Sequence, residues 1–203
     1  MDDSVVIALF RHGLTEENKR KAYLGWRDSP LCTNSVNLST DSRYDLYFSS
    51  DLPRCVETAS ILFPTNTLKL MPQLREMNFG QWEGKTYEDL KELLLYQRWL
   101  SDPLSYSPPG GESFEEFTQR VQKGWEKLTG EFLSGNNERC AIITHGGVIR
   151  YLLSKFAPGK NDFWSWQAPH EQGYELIFER EALRRGERCT LLREVPLTAK
   201  ENG

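Results

Sequence analysis

Val5-Val6-Ile7-Ala8-Leu9-Phe10-Arg11-His12-Gly13 is the stretch whose reading decides the fold. Its apolar run is short, continuous and rich in β-branched residues. That pattern predicts a strand covered on both faces, as in the middle of an α/β sheet. The run stops abruptly on Arg11-His12-Gly13. Further along, Ala141-Ile142-Ile143-Thr144 predicts a second such strand and stops in the same way, on His145-Gly146-Gly147. Between them, Asp45-Leu46-Tyr47-Phe48 predicts a third strand leading into Ser49-Ser50-Asp51. Near the C-terminus, residues 174–179 and 189–193 alternate as the two arms of a hairpin across the polar stretch 180–188.

Helical spacing fills the intervals. Leu52, Cys55, Val56, Ala59 and Leu62 share one helix face, ended by Pro64. Leu90, Leu93, Leu94, Gln97 and Leu100 predict another helix, ended by Pro103. Ser113 with Glu116 has capping-box spacing and opens a helix that buries Phe117, Val121, Trp125 and Leu128. A short helix over 148–156 follows the second glycine pair. Alternating strands and helices with apolar central strands predict an α/β fold. The expected form is a three-layer α/β/α sandwich, its central sheet mostly parallel and closed by the C-terminal hairpin. One domain spanning 1–203 accounts for the length.

Composition narrows the class. The chain has 203 residues, 38% hydrophobic and 27% charged, which is globular and not disordered. A formal charge of −4 leaves no global basic footprint, so no nucleic-acid partner is expected. The longest apolar run is Val5–Phe10, far below the ~20 residues of a membrane helix. Asp2 and Asp3 stand where a secretory leader would carry positive charge. Cys32, Cys55, Cys140 and Cys189 are scattered without a CxxC and read as reduced thiols, which with the rest predicts a cytoplasmic protein.

Ligands of open α/β sheets bind at the carboxyl ends of the strands. His12 and His145 both occupy that position, each between an apolar strand and a glycine, and Arg11 adjoins the first. Two imidazoles and a guanidinium at one sheet edge suit a small dianion, phosphate first of all. The alternative, that each histidine merely caps its strand, has to hold twice over in the same context.

Arg11-His12-Gly13 with Thr15, Asn18, Gly25, Asp28, Pro30 and Leu31 resembles the opening of the histidine phosphatase superfamily, also called phosphoglycerate-mutase-like. Ser49-Ser50-Asp51-Leu52-Pro53-Arg54 with Glu57-Thr58-Ala59 is similar to its second arginine motif. The stretch 74–84, from Leu74-Arg75-Glu76 to Trp82-Glu83-Gly84, resembles its acid motif. Pro109-Gly110-Gly111-Glu112-Ser113 with Arg120-Val121, then Thr144-His145-Gly146-Gly147-Val148-Ile149-Arg150, complete the set in order. The resemblance implies His12 as nucleophile, and Arg11, Arg54 and His145 as the phosphate pocket. It implies Asn18 as a further phosphate contact, where a turn cap is the plainer reading, and Glu76 as proton donor, with Glu83 close enough to be confused with it. These roles suit the chemistry: an unprotonated imidazole can attack phosphorus, and fixed cations stabilise the equatorial oxygens. The implied partner is a small phosphorylated substrate, with no cofactor and no metal. The oligomeric state is not legible.

Leu14 and Glu17 stand where the family has Glu and Trp. Residues 32–43 are too few for the family's long helix, which predicts exposed apolar surface on that sheet face. The lid insertion, about 81–112, has room for one or two short helices. Such a lid favours hydrolysis over transfer. The acid motif and Pro108-Pro109-Gly110-Gly111-Glu112-Ser113 look closest to the α-ribazole phosphate phosphatase branch, which makes that phosphate ester the lead substrate. A cofactor-dependent phosphoglycerate mutase and a non-catalytic phosphate-binding module are the alternatives. His170 is expected in a surface loop, and Tyr23, Trp26, Trp164 and Trp166 in core packing more than at a substrate entrance.

Overall fold

In the computed structural model, which describes residues 3–159 and 161–199, the run from Val5 lies at the centre of a six-stranded sheet. From edge to edge the strands are Leu68–Leu70 (β4), Leu46–Ser49 (β3), Arg139–Thr144 (β5), Ser4–Arg11 (β1), Gln172–Glu179 (β6) and Leu191–Pro196 (β7). The first four are mutually parallel, and β6 and β7 add antiparallel. The arrangement is the mostly parallel sheet with a C-terminal hairpin that the sequence predicts. The hairpin connection carries a short helix, Arg180–Arg184 (α7), which the polar composition there conceals.

Strand alternation assigns the two faces. Val5, Ile7 and Leu9 point to one side, where they meet Phe114–Ser134 (α5) through Val121, Trp125, Leu128 and Phe132, and Gly146–Phe156 (α6) through Ile149 and Leu152. Ala8 and Phe10 point to the other, against Cys55, Ala59 and Leu62 of Pro53–Leu62 (α2). The Ser113–Glu116 capping box is formed as expected. Pro53 at the first position of α2 supplies a backbone angle already suited to a helix.

Two expectations are corrected. The leucine-rich helix over 90–100 is broken into Tyr87–Leu90 (α3) and Leu94–Ser101 (α4). Its buried face is aromatic, with Tyr96 and Trp99 packed on Trp82 and Leu90, while Leu93, Leu94 and Leu100 are exposed. Large flat rings bury more area per residue than leucine and so take the inward positions. After Leu31, the missing long helix leaves no large apolar side chain exposed among the described residues of 32–43. A 3-10 turn, Thr33–Asn37, leads into Leu38–Ser39 (β2), which pairs antiparallel with Thr198–Ala199 (β8). Leu38, Val195 and Leu197 are thereby buried against the α2 side of the core. A pairing between the first fifth and the last residues of the chain has no local signal.

Candidate active site

Register explains why the two histidines meet. In the parallel β1–β5 pair, Phe10 stands opposite Ile143 and Arg11 opposite Thr144. The next residue on each strand is histidine. Parallel neighbours lie about 4.8 Å apart, so two side chains leaving the same level converge. The rings of His12 and His145 are 5.2 Å apart, centroid to centroid, and both are buried. β3 runs beside β5 with Ser49 opposite Ile143, so its end brings Ser50 and the start of α2 to the same level.

Hydrogen bonds orient each ring. His12 Nδ1–H donates to the Gly13 carbonyl at 2.8 Å, which makes Nε2 the acceptor nitrogen, the one that carries the lone pair. Arg54 Nε–H points at that nitrogen from 3.4 Å. His145 Nδ1 accepts from Arg54 Nη2 at 3.2 Å, so its Nε2–H is directed to Ser50 Oγ at 2.9 Å. Arg54 is itself gripped by the Gly25 and Arg27 carbonyls at 2.6 and 3.0 Å. Arg11 reaches the Ala168 carbonyl through Nη1 at 2.6 Å, and its Nε is buried with no partner.

Neither Arg11 nor Arg54 forms an ion pair among the described residues, although Arg54 is only 1% exposed. A buried, unpaired guanidinium costs several kcal/mol on the order of an ion's desolvation. Burial, then Arg54 and Arg11, hold His12 well below the usual imidazole range, and burial, then Arg54, does the same to His145. Both rings are therefore neutral at pH 7, with an unprotonated Nε2 on His12. Cys55 packs on His145 with Sγ 3.4 Å from Nε2, but burial pushes its thiol up to about 12 and leaves it an inert neutral group.

Glu76 and Glu83 have different roles. Glu83 braces the loop, accepting from the backbone N–H groups of Trp26 at 2.7 Å, Phe79 at 3.3 Å and Arg27. Glu76 accepts from Met77 N–H and Gly147 N–H, each at 2.9 Å, and lines a cleft together with Gly147, two residues after His145. Its backbone is clamped by Arg120, which donates to the carbonyls of Gln73, Arg75 and Glu76 while paired to Glu112 at 2.7 Å. A Cβ on Gly147 would lie 2.2 Å from Glu76 Oε1. Gly147→Ala is therefore expected to displace the carboxyl and lower kcat by roughly 10²-fold, with the fold retained. Steady-state kinetics beside a melting curve check this; an unchanged kcat would mean that Glu76 tolerates the shift.

Asn18 is engaged in a local cap. Its Oδ1 accepts from Thr15 Oγ1 at 2.9 Å in a capping box that opens Glu16–Lys19 (α1), which is the plainer reading of the sequence. The bond commits the amide oxygen and leaves Nδ2 as the donor.

His170 overturns the expectation of a surface loop. Its ring centroid is 5.4 Å from that of His12, and Nδ1–H donates to the His12 carbonyl at 2.7 Å. Burial and then Arg11 draw it down to about 4, so it is neutral too. No local pattern marks it, because Pro169-His170-Glu171 adjoins no apolar run until β6 begins. Tyr23 and Trp164 do line the cleft, whereas Trp26 lies under Arg75 and Arg120 and donates Nε1–H to the Glu76 carbonyl at 2.9 Å.

An α/β sandwich that aims histidines and arginines from separate strand ends at one buried point defines a class of phosphoryl-handling enzymes. The chain belongs to the histidine phosphatase superfamily, branch 1, whose family model matches residues 7–184. It is 32% identical to the adenosylcobalamin/alpha-ribazole phosphatase of Escherichia coli K12, over 72% of this chain and 76% of that one. It is 29% identical to a 2,3-bisphosphoglycerate-dependent phosphoglycerate mutase of Cytophaga hutchinsonii, over 75% and 79%. The crystal structure of the alpha-ribazole phosphatase from Shigella flexneri superposes with a TM-score of 0.81 at 25% identity, covering 98% of this chain and all of that one. The phosphoglycerate-mutase-like fold expected from the sequence is thus the observed one.

Proposed function

We propose that the chain hydrolyses small phosphate monoesters through a phosphohistidine on His12. The observation that carries this reading is that two guanidinium groups, the buried Arg54 and the half-buried Arg11, lack any carboxylate partner among the described residues. A phosphate dianion supplies the missing charge, the Nδ2 of Asn18 supplies a further donor, and His145 adds one when its Nε2–H turns from Ser50 Oγ to the anion.

In the first step His12 Nε2 attacks phosphorus and the ester P–O bond breaks. The leaving oxygen takes a proton from Glu76, which becomes a carboxylate. In the second step water attacks phosphorus, Glu76 recovers a proton from it, and the N–P bond breaks with its electron pair returning to Nε2. Arg11 and Arg54 stay fixed throughout and stabilise the equatorial oxygens, which is most of what phosphoryl transfer demands.

The relatives' names support α-ribazole 5'-phosphate as the lead substrate. We take the whole chain, 1–203, as one catalytic unit with 81–112 as its lid, working in the cytoplasm. No helix among the described residues is long and apolar enough to cross a membrane. The test is release of phosphate from p-nitrophenyl phosphate in EDTA, with inhibition by vanadate, which mimics five-coordinate phosphorus. Turnover in EDTA that vanadate suppresses is expected. Turnover that needs an added divalent metal would overturn the reading, and activity only after priming with a bisphosphorylated sugar acid would mark a mutase.

A further inference from the structure

Arg150 is the group this mechanism leaves without a task. It stands one turn after Gly147 on α6, so at i+3 it faces the same way as the glycine that holds Glu76. Its Nε is buried with no partner, and the side chain makes no hydrogen bond or ion pair among the described residues. It lines a cleft of about 350 Å³ together with Glu76 and Gly147. The other walls are apolar or aromatic, among them Phe79, Trp99, Phe114 and Phe163. Glu76 forms no ion pair with it and instead accepts from the backbone N–H groups of Met77 and Gly147, one on each carboxyl oxygen. Arg150 is thus the one cation among the described residues lining the cleft.

We propose that Arg150 forms a second anion site within the leaving-group cleft. It selects phosphomonoesters whose alcohol carries a further acidic group, a carboxylate or another phosphate, on a flat apolar body, and so ranks them above α-ribazole 5'-phosphate, whose alcohol has the flat body but no second acid. The proposal rests on the hydrolytic reading above, since it takes the cleft beside Glu76 as the place of the departing alcohol. Three features fix that class. The proton donor and Arg150 share one cavity, so the leaving oxygen and the second anion belong to the same group. Aromatic walls admit a planar apolar body and offer it stacking. Low-dielectric surroundings leave an unpaired guanidinium costly, and they strengthen its bond to an anion for the same reason.

A matched pair of substrates tests it: 4-carboxyphenyl phosphate and its neutral isostere 4-carbamoylphenyl phosphate. In Arg150→Gln, kcat/KM is expected to fall at least tenfold more for the carboxylate than for the amide, the range of a charge-assisted hydrogen bond. Arg150→Lys, which keeps the charge, should recover part of that difference. Equal losses on the two esters would overturn the proposal and place Arg150 on the transferred phosphoryl group. No loss on either would overturn it outright. Calorimetric binding of the free phenols, 4-hydroxybenzoate against 4-hydroxybenzamide, reads the site independently of turnover. If the protein hydrolyses neither ester, tighter binding of the benzoate that vanishes in Arg150→Gln still supports the anion site while the hydrolytic reading fails. Equal binding of the two phenols sinks the site.

Discussion

His12→Ala is expected to lower kcat on every phosphate ester by at least about 10⁴-fold, the scale seen when the nucleophile of a covalent mechanism is deleted. The reason lies in the tautomer. The Gly13 carbonyl holds the proton of Nδ1 at 2.8 Å, so Nε2 is the lone pair presented to the pocket. Burial keeps that nitrogen unprotonated, and no neighbour can replace it. His145 turns Nε2–H to Ser50, and His170 is bound to the backbone carbonyl of His12. Cys55 is a buried, protonated thiol. The variant should nevertheless bind vanadate or phosphate, because Arg11, Arg54 and His145 remain. A rapid-quench experiment with labelled substrate provides the second readout: acid-labile, base-stable label on the wild-type protein and none on the variant. Undiminished turnover in His12→Ala would reject the mechanism.

Glu76→Gln should cost about 10²- to 10⁴-fold in kcat, in proportion to how badly the leaving group needs a proton. An alkyl phosphate, whose alkoxide is a poor leaving group, falls at the upper end. p-Nitrophenyl phosphate, whose phenolate departs unaided, falls at the lower end. Glutamine also disturbs the local structure in a foreseeable way. Met77 N–H and Gly147 N–H each donate to one carboxyl oxygen, and the amide NH₂ must oppose one of them. The contrast between the two esters separates the effects: lost proton donation scales with the leaving group, whereas displacement slows both alike. Equal losses on the two substrates would reduce Glu76 to a positioning residue.

Much of this was legible before any coordinates. Short apolar runs cut off by His-Gly mark central strands and place reactive groups at their carboxyl ends, because such strands are covered on both sides and ligands collect where they stop. The Ser113–Glu116 box, the Pro64 and Pro103 stops and the terminal hairpin are local chemistry and follow from local residues. The lid helix was misjudged because leucine spacing suggested a buried face, whereas Tyr96 and Trp99 had a better partner in Trp82. His170 reads from the sequence as a surface-loop residue for a similar reason. Its contact is with residue 12, 158 positions away, and nothing beside it in the chain announces that.

Periodicity and residue chemistry alone determined an α/β sheet with histidine at two strand ends and an anion as the natural guest, since those depend on each residue and its immediate neighbours. Only the tertiary structure decided the β1–β5 register that brings His12 and His145 to one level, and the β2–β8 pairing that closes the sheet face behind α2. It alone turned Arg150 into the cleft beside Glu76. These are outcomes of packing between distant segments, and no local preference encodes them because their energy exists only once the segments have met.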